Sequence, residues 1–451
     1  MAQRADAGAE ELPRRLGLFD AVWLVVASVI GSGIFLTPGR VADLLPAVGW
    51  IFGAWIAGGL LSLAGALANA EMGAMFPRAG GDYVYLREAF HPLAGFLVGW
   101  LSFTVIFTGT IATLAAGAAE GLAHFVSLSA QEQLGVAIAL VVAFTLLNAR
   151  SVRLGADLNN LAAIAKVGAL LAFAVLGPVV GAGSFRHLCP EGASGGVGPA
   201  AFGLALSPVL FSYLGWNATI YVAGEIRDPG RNLPRSLFFG LALCTAIYLA
   251  VNAVYLVALP LDRLRGEVNV GEAAARALFG PGSGDLVAGF VLLSILGTLH
   301  ATVLVGPRIA YAMARDGLFF RVAERVHSTW QTPGWALLVQ GALAVGLLLV
   351  LRTFPSALDY TTFAIVLATL ADVAALYRLR FRRPEAPRPY RAWGYPVVPG
   401  LYFLANGGIA WAMLAGRPFE CLVGLGMAAV GVPLYFAFRR AARGPGALAV
   451  R

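Results

Sequence analysis

Apolar stretches of about 20 residues recur along nearly the whole chain, and about that length is what a helix needs to cross a bilayer. The sequence is 59% hydrophobic and only 12% charged, with a mean hydropathy of +0.77. Soluble domains carry about twice that share of charged residues. We therefore expect an all-α integral membrane protein with about 12 transmembrane helices.

The apolar stretches divide the chain into two sets of five spans and one final pair. The expected spans are 18–39, 48–76, 85–118, 130–149, 158–180, 199–223, 236–259, 285–314, 333–352, 358–379, 396–415 and 419–438. The expected units are an N-terminal tail at 1–17, a first five-helix repeat at 18–180, a second at 199–380, two additional helices at 396–440 and a tail at 441–451.

The net charge of +8 is distributed very unevenly between the loops. If the N-terminus is cytoplasmic, 24 of the 31 arginines lie on the inner side and seven lie outside. This asymmetry follows the positive-inside rule, so both tails are expected in the cytoplasm and the protein in the plasma (inner) membrane. The basic charge is then a topology signal and does not indicate nucleic-acid binding.

Two of the expected spans contain helix-breaking residues. Gly31-Ser32-Gly33 interrupts the first span, and the sixth is interrupted by Ser207-Pro208 and again by Gly215. Unwound backbone at membrane depth is tolerated only where it faces protein or a water-filled cavity. One broken span at the start of each half is typical of the binding site of a secondary transporter. Close packing of small residues between helices is the alternative explanation for the glycines.

Several motifs in order along the chain resemble those of the amino acid–polyamine–organocation transporters, in particular the branch similar to L-type amino acid transporters. They are VIGSGIF at 29–35 with Pro38, Glu71 with PRAGGDYVY at 77–85, FSYLGWN at 211–217, EIRDP at 225–229, RNLPR at 231–235, and Arg308 with ARDG at 314–317. The resemblance implies the leucine-transporter fold, a 5+5 inverted repeat with broken helices 1 and 6 and a mid-membrane site.

The implied site binds a free amino acid between the two breaks. Its expected substrate-binding residues are Ile30, Gly31, Ser32, Gly33, Phe211, Ser212, Gly215 and Asn217. Unwound backbone at the first break would offer N–H groups to a carboxylate, and freed carbonyls near Phe211 and Ser212 would accept from an ammonium. By resemblance, Phe211 closes over the substrate, although simple packing is the alternative. We also expect that a Cβ at Gly31 or Gly33 would obstruct the site.

Lys166 is the only lysine of the chain and falls within the fifth span, where an ammonium is costly and marks a functional position. In the resembling family, a lysine at this place substitutes for a sodium ion between helices 1, 5 and 8. Val305-Gly306-Pro307 of the eighth span offers no hydroxyl ligands, which fits sodium independence. Proton coupling through Lys166 and snorkelling of its side chain to the membrane edge are the alternatives.

Other polar residues suggest secondary roles. His300, near the centre of the eighth span, is a possible proton switch or an ordinary buried imidazole. A possible cytoplasmic gate consists of Glu71, Arg78, Glu225, Arg308 and Arg315. Structural anchoring by these ion pairs is the alternative.

The sequence favours a transporter of free, neutral L-amino acids that works by alternating access as a sodium-independent exchanger or a proton-linked permease. A polyamine or organic-cation transporter of the same fold is the alternative, but the core spans supply no clear mid-depth carboxylate. A receptor or membrane-embedded enzyme is less favoured, and no cofactor or metal is expected. The expected partners are the amino acid and membrane lipid. Because 120–133 contains no cysteine, no covalently attached heavy subunit is expected.

Overall fold

The computed structural model describes residues 12–150, 152–189, 196–351, 354–416 and 418–442. Most of the expected tails at 1–17 and 441–451 therefore lies outside the described residues. The described chain is helical apart from turns, loops and one isolated bridge between Leu16 and Ile226.

Most helices follow one another with short connections, and longer ones separate α9 from α10 and α16 from α17. The first ten are α1 (Leu18–Val29), α2 (Gly33–Leu36), α3 (Pro38–Leu44), α4 (Val48–Met75), α5 (Asp82–Ala89), α6 (Pro92–Leu101), α7 (Thr108–Ala123), α8 (Ala130–Arg150), α9 (Val152–Val180) and α10 (Pro199–Ser212). The next ten are α11 (Ala218–Tyr221), α12 (Pro229–Ala258), α13 (Leu261–Leu264), α14 (Val270–Phe279), α15 (Ser283–Val305), α16 (Pro307–Arg315), α17 (Gly334–Leu351), α18 (Phe354–Arg382), α19 (Val397–Gly416) and α20 (Pro418–Ala442). A π-helical turn at Ser102–Phe107 joins α6 to α7.

Each expected span overlaps at least one helix of the structure, and the expected span 85–118 overlaps α5, α6 and α7. Within the described residues, eight segments are long and apolar enough to cross a membrane: Leu18–Leu36, Val48–Met75, Pro92–Ala123, Ala130–Arg150, Gly155–Val180, Pro229–Ala258, Ser283–Arg315 and Val397–Ala415. Large apolar side chains point outward from these helices, such as Val179, which is 75% exposed, and Trp411, which is 74% exposed. Such surfaces are stable in lipid and costly in water, so the chain is an integral membrane protein.

The third span begins later than the expected residue 85. The chain forms the separate short helix α5 and then turns at Phe90 and His91 before α6 starts at Pro92. Proline lacks an N–H group and is well tolerated in the first turn of a helix, where no intrahelical partner is needed. The His91 side chain caps the new helix by accepting from the Leu93 N–H at 3.2 Å.

The two broken spans pack at the centre of the helix bundle. Helix α12 contacts both α1 and α4, while α9 and α15 pack against another side of α1. The residues around the first break, such as Ile30 and Ile34, are fully buried in the largest apolar cluster. The breaks are therefore enclosed by protein, as unwound backbone within a bilayer requires.

A short amphipathic helix covers one side of the first break. The polar segment near 271–279 has a weakly helical pattern in the sequence, and the structure forms α14 there. Gly271 allows α14 to approach α2 closely, because a Cβ at this position would lie 2.8 Å from a ring carbon of Phe35.

Candidate functional site

The first break lies at residues 30–32, next to the position that Gly31 and Gly33 predicted. Helix α1 ends at Val29, Ile30 adopts an extended conformation with ψ 90°, and α2 begins at Gly33. The Gly31 N–H donates to the Val29 carbonyl, but among the described residues the N–H groups of Ser32, Gly33 and Ile34 donate to no backbone carbonyl. Three successive free donors form a concavity that suits a carboxylate.

Lys166 reaches this break from α9 and is 3% exposed. Its Nζ atom donates to the carbonyl of Ala27 at 3.1 Å and to the carbonyl of Ile30 at 2.9 Å. A third bond joins Nζ to the Thr298 hydroxyl at 2.9 Å. The ammonium thus lies among oxygens of α1 and α15, and it is far from the snorkelling geometry that was the alternative.

The hydroxyls of α15 at this break come from Ser294 and Thr298. Ser294 donates to the Ile30 carbonyl at 3.0 Å, and Thr298 lies 3.1 Å from the Ala27 carbonyl. Val305-Gly306-Pro307 lies about two turns beyond Thr298 in the eighth span, so the expectation that this span offers no hydroxyl ligand at the ion site is wrong. The oxygens are present, and the Lys166 ammonium lies between them.

The second break is centred on Gly215, and Ser207-Pro208 does not interrupt the helix. Helix α10 runs through Pro208 to Ser212, because a proline within a helix removes only one N–H donor and can be accommodated. Gly215 has a φ of +99°, in the left-handed region that favours glycine. An added Cβ there would lie 2.5 Å from the Ser28 carbonyl oxygen.

The two breaks touch one another directly. A Cβ at Gly33 would lie 2.8 Å from the Ser212 Cα atom, whereas a Cβ at Gly31 would meet nothing closer than the Thr298 hydroxyl at 3.7 Å. The expected obstruction therefore applies to Gly33 and not to Gly31. The hydroxyls of Thr37 and Ser212 are also within hydrogen-bond distance at 2.8 Å.

Tyr248 of α12 bridges the breaks and was not identified from the sequence. Its hydroxyl lies 3.0 Å from the Val29 carbonyl and 2.8 Å from the Ser212 carbonyl. Its position within a long apolar helix gives no sequence signal that distinguishes it from a core aromatic residue. The Ser212 carbonyl accepts this bond and retains one lone pair for an ammonium. The Phe211 carbonyl accepts from the N–H groups of both Tyr213 and Leu214.

The remaining expected site residues lie beside the second break or away from it. Phe211 and Asn217 are half-buried at the two ends of the unwound segment. The Asn217 amide donates to the Tyr221 hydroxyl at 3.3 Å. His300 is buried against the ring of Phe144, and its Nε2 atom has no hydrogen-bond partner among the described residues.

The five expected gate residues do not form one network. Glu225 and Arg308 make a fully buried bidentate pair, with Nε to Oε1 at 2.7 Å and Nη2 to Oε2 at 3.0 Å. Arg78 is exposed and forms no ion pair with the described residues, while Arg315 lies over the ring of Tyr311. The loop that carries Glu225 is also held by the segment before α1 through the Leu16 bridge.

Glu71 belongs to a second, separate cluster. It accepts from Arg380 at 2.7 Å, from Arg388 at 3.1 Å and from the backbone N–H of Ala392 at 2.7 Å. The carboxylate is fully buried, so these three donors compensate for the loss of water around it. The cluster ties α4 to the connection between α18 and α19.

Replacing Arg388 with alanine is expected to lower the free energy of unfolding by about 2 kcal/mol. The loss is moderate because Arg380 and the Ala392 N–H continue to hold Glu71. The measurement is the thermal unfolding midpoint in detergent, with the exposed Arg391→Ala as the control. Equal midpoints for the two variants would show that the Arg388 contact contributes nothing to stability.

The comparison with known proteins identifies the family of this chain. Residues 16–422 match the model of a family described as amino acid permease. The chain belongs to the amino acid permease family. The assignment places it in the amino acid–polyamine–organocation superfamily, in the branch similar to L-type transporters, as the motifs indicated.

Three relatives of this permease align over almost its whole length. The serine/threonine exchanger SteT of Bacillus subtilis is 30% identical, with 95% of this chain and 98% of the relative covered. The human large neutral amino acids transporter small subunit 2 is 30% identical over 95% and 81% of the two chains. The human b(0,+)-type amino acid transporter 1 is 31% identical over 95% and 88%. These proteins are transporters, so this permease is a transporter and not an enzyme.

Proposed function

We propose that this permease exchanges free, neutral L-amino acids across the plasma membrane by alternating access, without sodium, with both termini in the cytoplasm. The observation that carries the proposal is the pair of facing breaks at Gly31–Gly33 and Gly215. One break has three free N–H donors, and the other has the Ser212 carbonyl with a spare lone pair. A zwitterionic α-amino acid complements both groups at once.

The roles of the proposed site residues follow from their positions. The free N–H groups of Ser32, Gly33 and Ile34, which follow Ile30 and Gly31 in the sequence, hold the carboxylate. The Ser212 carbonyl, next to Phe211, accepts from the ammonium. Gly215 lets the sixth helix approach the Ser28 carbonyl of the first helix closely. Phe211 and Asn217 border the space for the side chain of the substrate. Among the described residues, no carboxylate hydrogen-bonds to either break, which favours a neutral side chain over a polyamine.

Transport in liposomes tests the substrate class. The full-length protein is reconstituted with or without internal amino acid, and uptake of L-leucine, L-serine, L-threonine and putrescine is measured separately. We expect uptake of a neutral amino acid that internal amino acid accelerates. A preference for putrescine would favour the polyamine alternative, and uptake indifferent to internal amino acid would contradict exchange.

Sodium independence is a separate prediction. The Lys166 ammonium lies among the carbonyls of Ala27 and Ile30 and the Thr298 hydroxyl, where a second cation would meet like-charge repulsion. Replacing sodium with choline on both sides is expected to leave the initial rate of uptake unchanged. A saturable requirement for sodium would contradict the idea that the ammonium replaces the ion.

The proposal includes no disulfide-linked partner. The segment between α7 and α8 contains no cysteine, and of the three cysteines only Cys189 is exposed. Function of the purified single chain in liposomes tests this point. Inactivity of the chain alone, with activity restored by a second subunit, would contradict it.

A further inference from the structure

Two buried carboxyl groups lie near one another, and both come from parts of the sequence outside the expected substrate-binding residues. Asp82 is the first residue of α5 and Asp372 belongs to α18, and their side chains are 1% and 3% exposed. Helices α5 and α18 pack together, and each carboxyl acts on the proton affinity of the other. The Oδ1 atom of each is buried and has no hydrogen-bond partner among the described residues. A buried carboxylate oxygen without a donor or a cation is costly, so a bound proton stabilises the site.

The polar groups around this carboxyl pair are neutral. Tyr221 donates to Oδ2 of Asp82 at 2.5 Å, and the Asn69 amide donates to Oδ2 of Asp372 at 3.2 Å. The Tyr85 hydroxyl and the Asn69 Oδ1 atom are buried and have no hydrogen-bond partner among the described residues. Both belong to side chains that are at most 3% exposed.

The other elements that face the pair bring no compensating cation within the described residues. Tyr402 of α19 lies near Asp372, and Ser102 of the π-helical turn lies near Tyr221. Arg378 of α18 donates to the Ala89 carbonyl. Arg380 of α18 and Arg388 beyond its end are engaged with Glu71. Arg87 of α5 pairs instead with Glu88 and Asp316. A doubly ionised pair would therefore place two like charges side by side in a buried site.

Proton affinity at this position is raised by its surroundings. Burial raises the pKa of Asp82 from the ordinary value of 3.8 to about 6. Because the value is raised in the fold, the bound proton stabilises the folded state at acidic pH, and this contribution declines as the pH rises through about 6.

The pair is connected to the second break by a chain of hydrogen bonds. Asn217, at the end of the unwound segment, donates to the Tyr221 hydroxyl, which in turn donates to Asp82. Tyr221 is part of α11, the short helix that follows the break. Loss of the proton would weaken the contact of α5 with α18. It would thereby alter the hydrogen bond from Tyr221 of α11 to Asp82 of α5.

We propose that Asp82 and Asp372 form a binding site for one exchangeable proton, and that occupancy of this site sets how firmly α11 is held beside the second break. The site goes beyond the proposed amino acid exchange, and only its effect on transport rests on that function. The proton comes from water and returns to it as Asp82 ionises.

Infrared difference spectroscopy of the purified full-length protein tests proton binding without any substrate. Spectra recorded between about pH 5 and pH 8 are expected to show a buried protonated carboxyl that disappears with a midpoint near pH 6. The signal that changes near pH 6 should be absent in Asp82→Asn, should shift its midpoint in Asp372→Asn, and should be unchanged in the control Glu88→Gln on the same helix. A missing signal at pH 5, a signal that survives Asp82→Asn, or an unshifted midpoint in Asp372→Asn overturns the proposal.

The variant Tyr221→Phe keeps both carboxyls and tests the link to the break. Because Tyr221 donates to the ionised form of Asp82, its removal is expected to raise the midpoint by about 1 pH unit. An unchanged midpoint would show that α11 is not coupled to the proton site.

A transport measurement tests the consequence. In liposomes at equal pH inside and outside, exchange of labelled L-leucine and L-serine is expected to change several-fold across pH 6 in the wild type and in Glu88→Gln. The profile should be flat in Asp82→Asn. A profile of Asp82→Asn identical to that of the wild type contradicts the coupling, while the infrared result still decides proton binding.

Discussion

Replacing Lys166 with alanine is expected to slow exchange by roughly 100-fold while substrate affinity changes far less. The ammonium donates three hydrogen bonds that join α9 and α15 to the carbonyls before the first break. Losing them leaves the buried carbonyls of Ala27 and Ile30 with fewer donors and changes the balance between outward- and inward-open states. The proposed carboxylate and ammonium contacts of the substrate do not involve Lys166, so binding is largely retained.

Equilibrium binding and liposome exchange measured on the same preparation separate the two effects. Lys166→Arg is expected to rescue exchange poorly, because a planar guanidinium cannot replace a compact ammonium among three closely spaced oxygens. Gly168→Ala is the matched control, since an added Cβ at that position of α9 has no neighbour within 4 Å. Exchange by Lys166→Ala at the wild-type rate would mean that the lysine only anchors the helices.

Valine at Gly33 or at Gly215 is expected to abolish measurable exchange while the protein still inserts into the membrane. At Gly33 the added carbon would lie 2.8 Å from the Ser212 Cα atom, and backbone cannot rotate away as a side chain can. At Gly215 the left-handed φ of +99° adds strain to a 2.5 Å approach to the Ser28 carbonyl.

Gly31→Ala serves as the control within the same motif, because its Cβ would meet only the Thr298 hydroxyl at an ordinary distance of 3.7 Å. We expect this variant to retain substantial exchange, measured in liposomes at matched protein incorporation. Equal loss of activity in all three variants would show that the motif needs glycine for a reason other than close approach. Normal exchange by Gly33→Val would contradict the contact between the breaks.

The sequence identified the membrane class and the positions of most helices, because hydrocarbon thickness imposes a local length and composition on every span. It also located the first break, since Gly31 and Gly33 act on the backbone within a few residues. The sixth helix shows the limit of that reasoning. Pro208 and Gly215 are both helix breakers in sequence, but only Gly215 adopts a conformation that ends the helix.

Contacts between residues far apart in the sequence could not be predicted from local patterns. Glu71 pairs with arginines more than 300 residues along the chain and not with Arg78 nearby. Which turn of α15 supplies hydroxyls to Lys166 depends on the rotation and shift of one helix against another. A single residue of sequence moves a side chain by about 100° around a helix, so a small error in register changes the contact entirely.

Sequence alone thus determined that this chain is a membrane transporter with unwound backbone in its first and sixth spans and a lone buried lysine beside them. These properties are local, because they depend on hydrophobic length and on the conformational freedom of individual residues. The tertiary structure decided that Tyr248 bridges the two breaks and that Asp82 meets Asp372. Both results depend on how helices far apart in sequence pack in three dimensions, which no local pattern specifies.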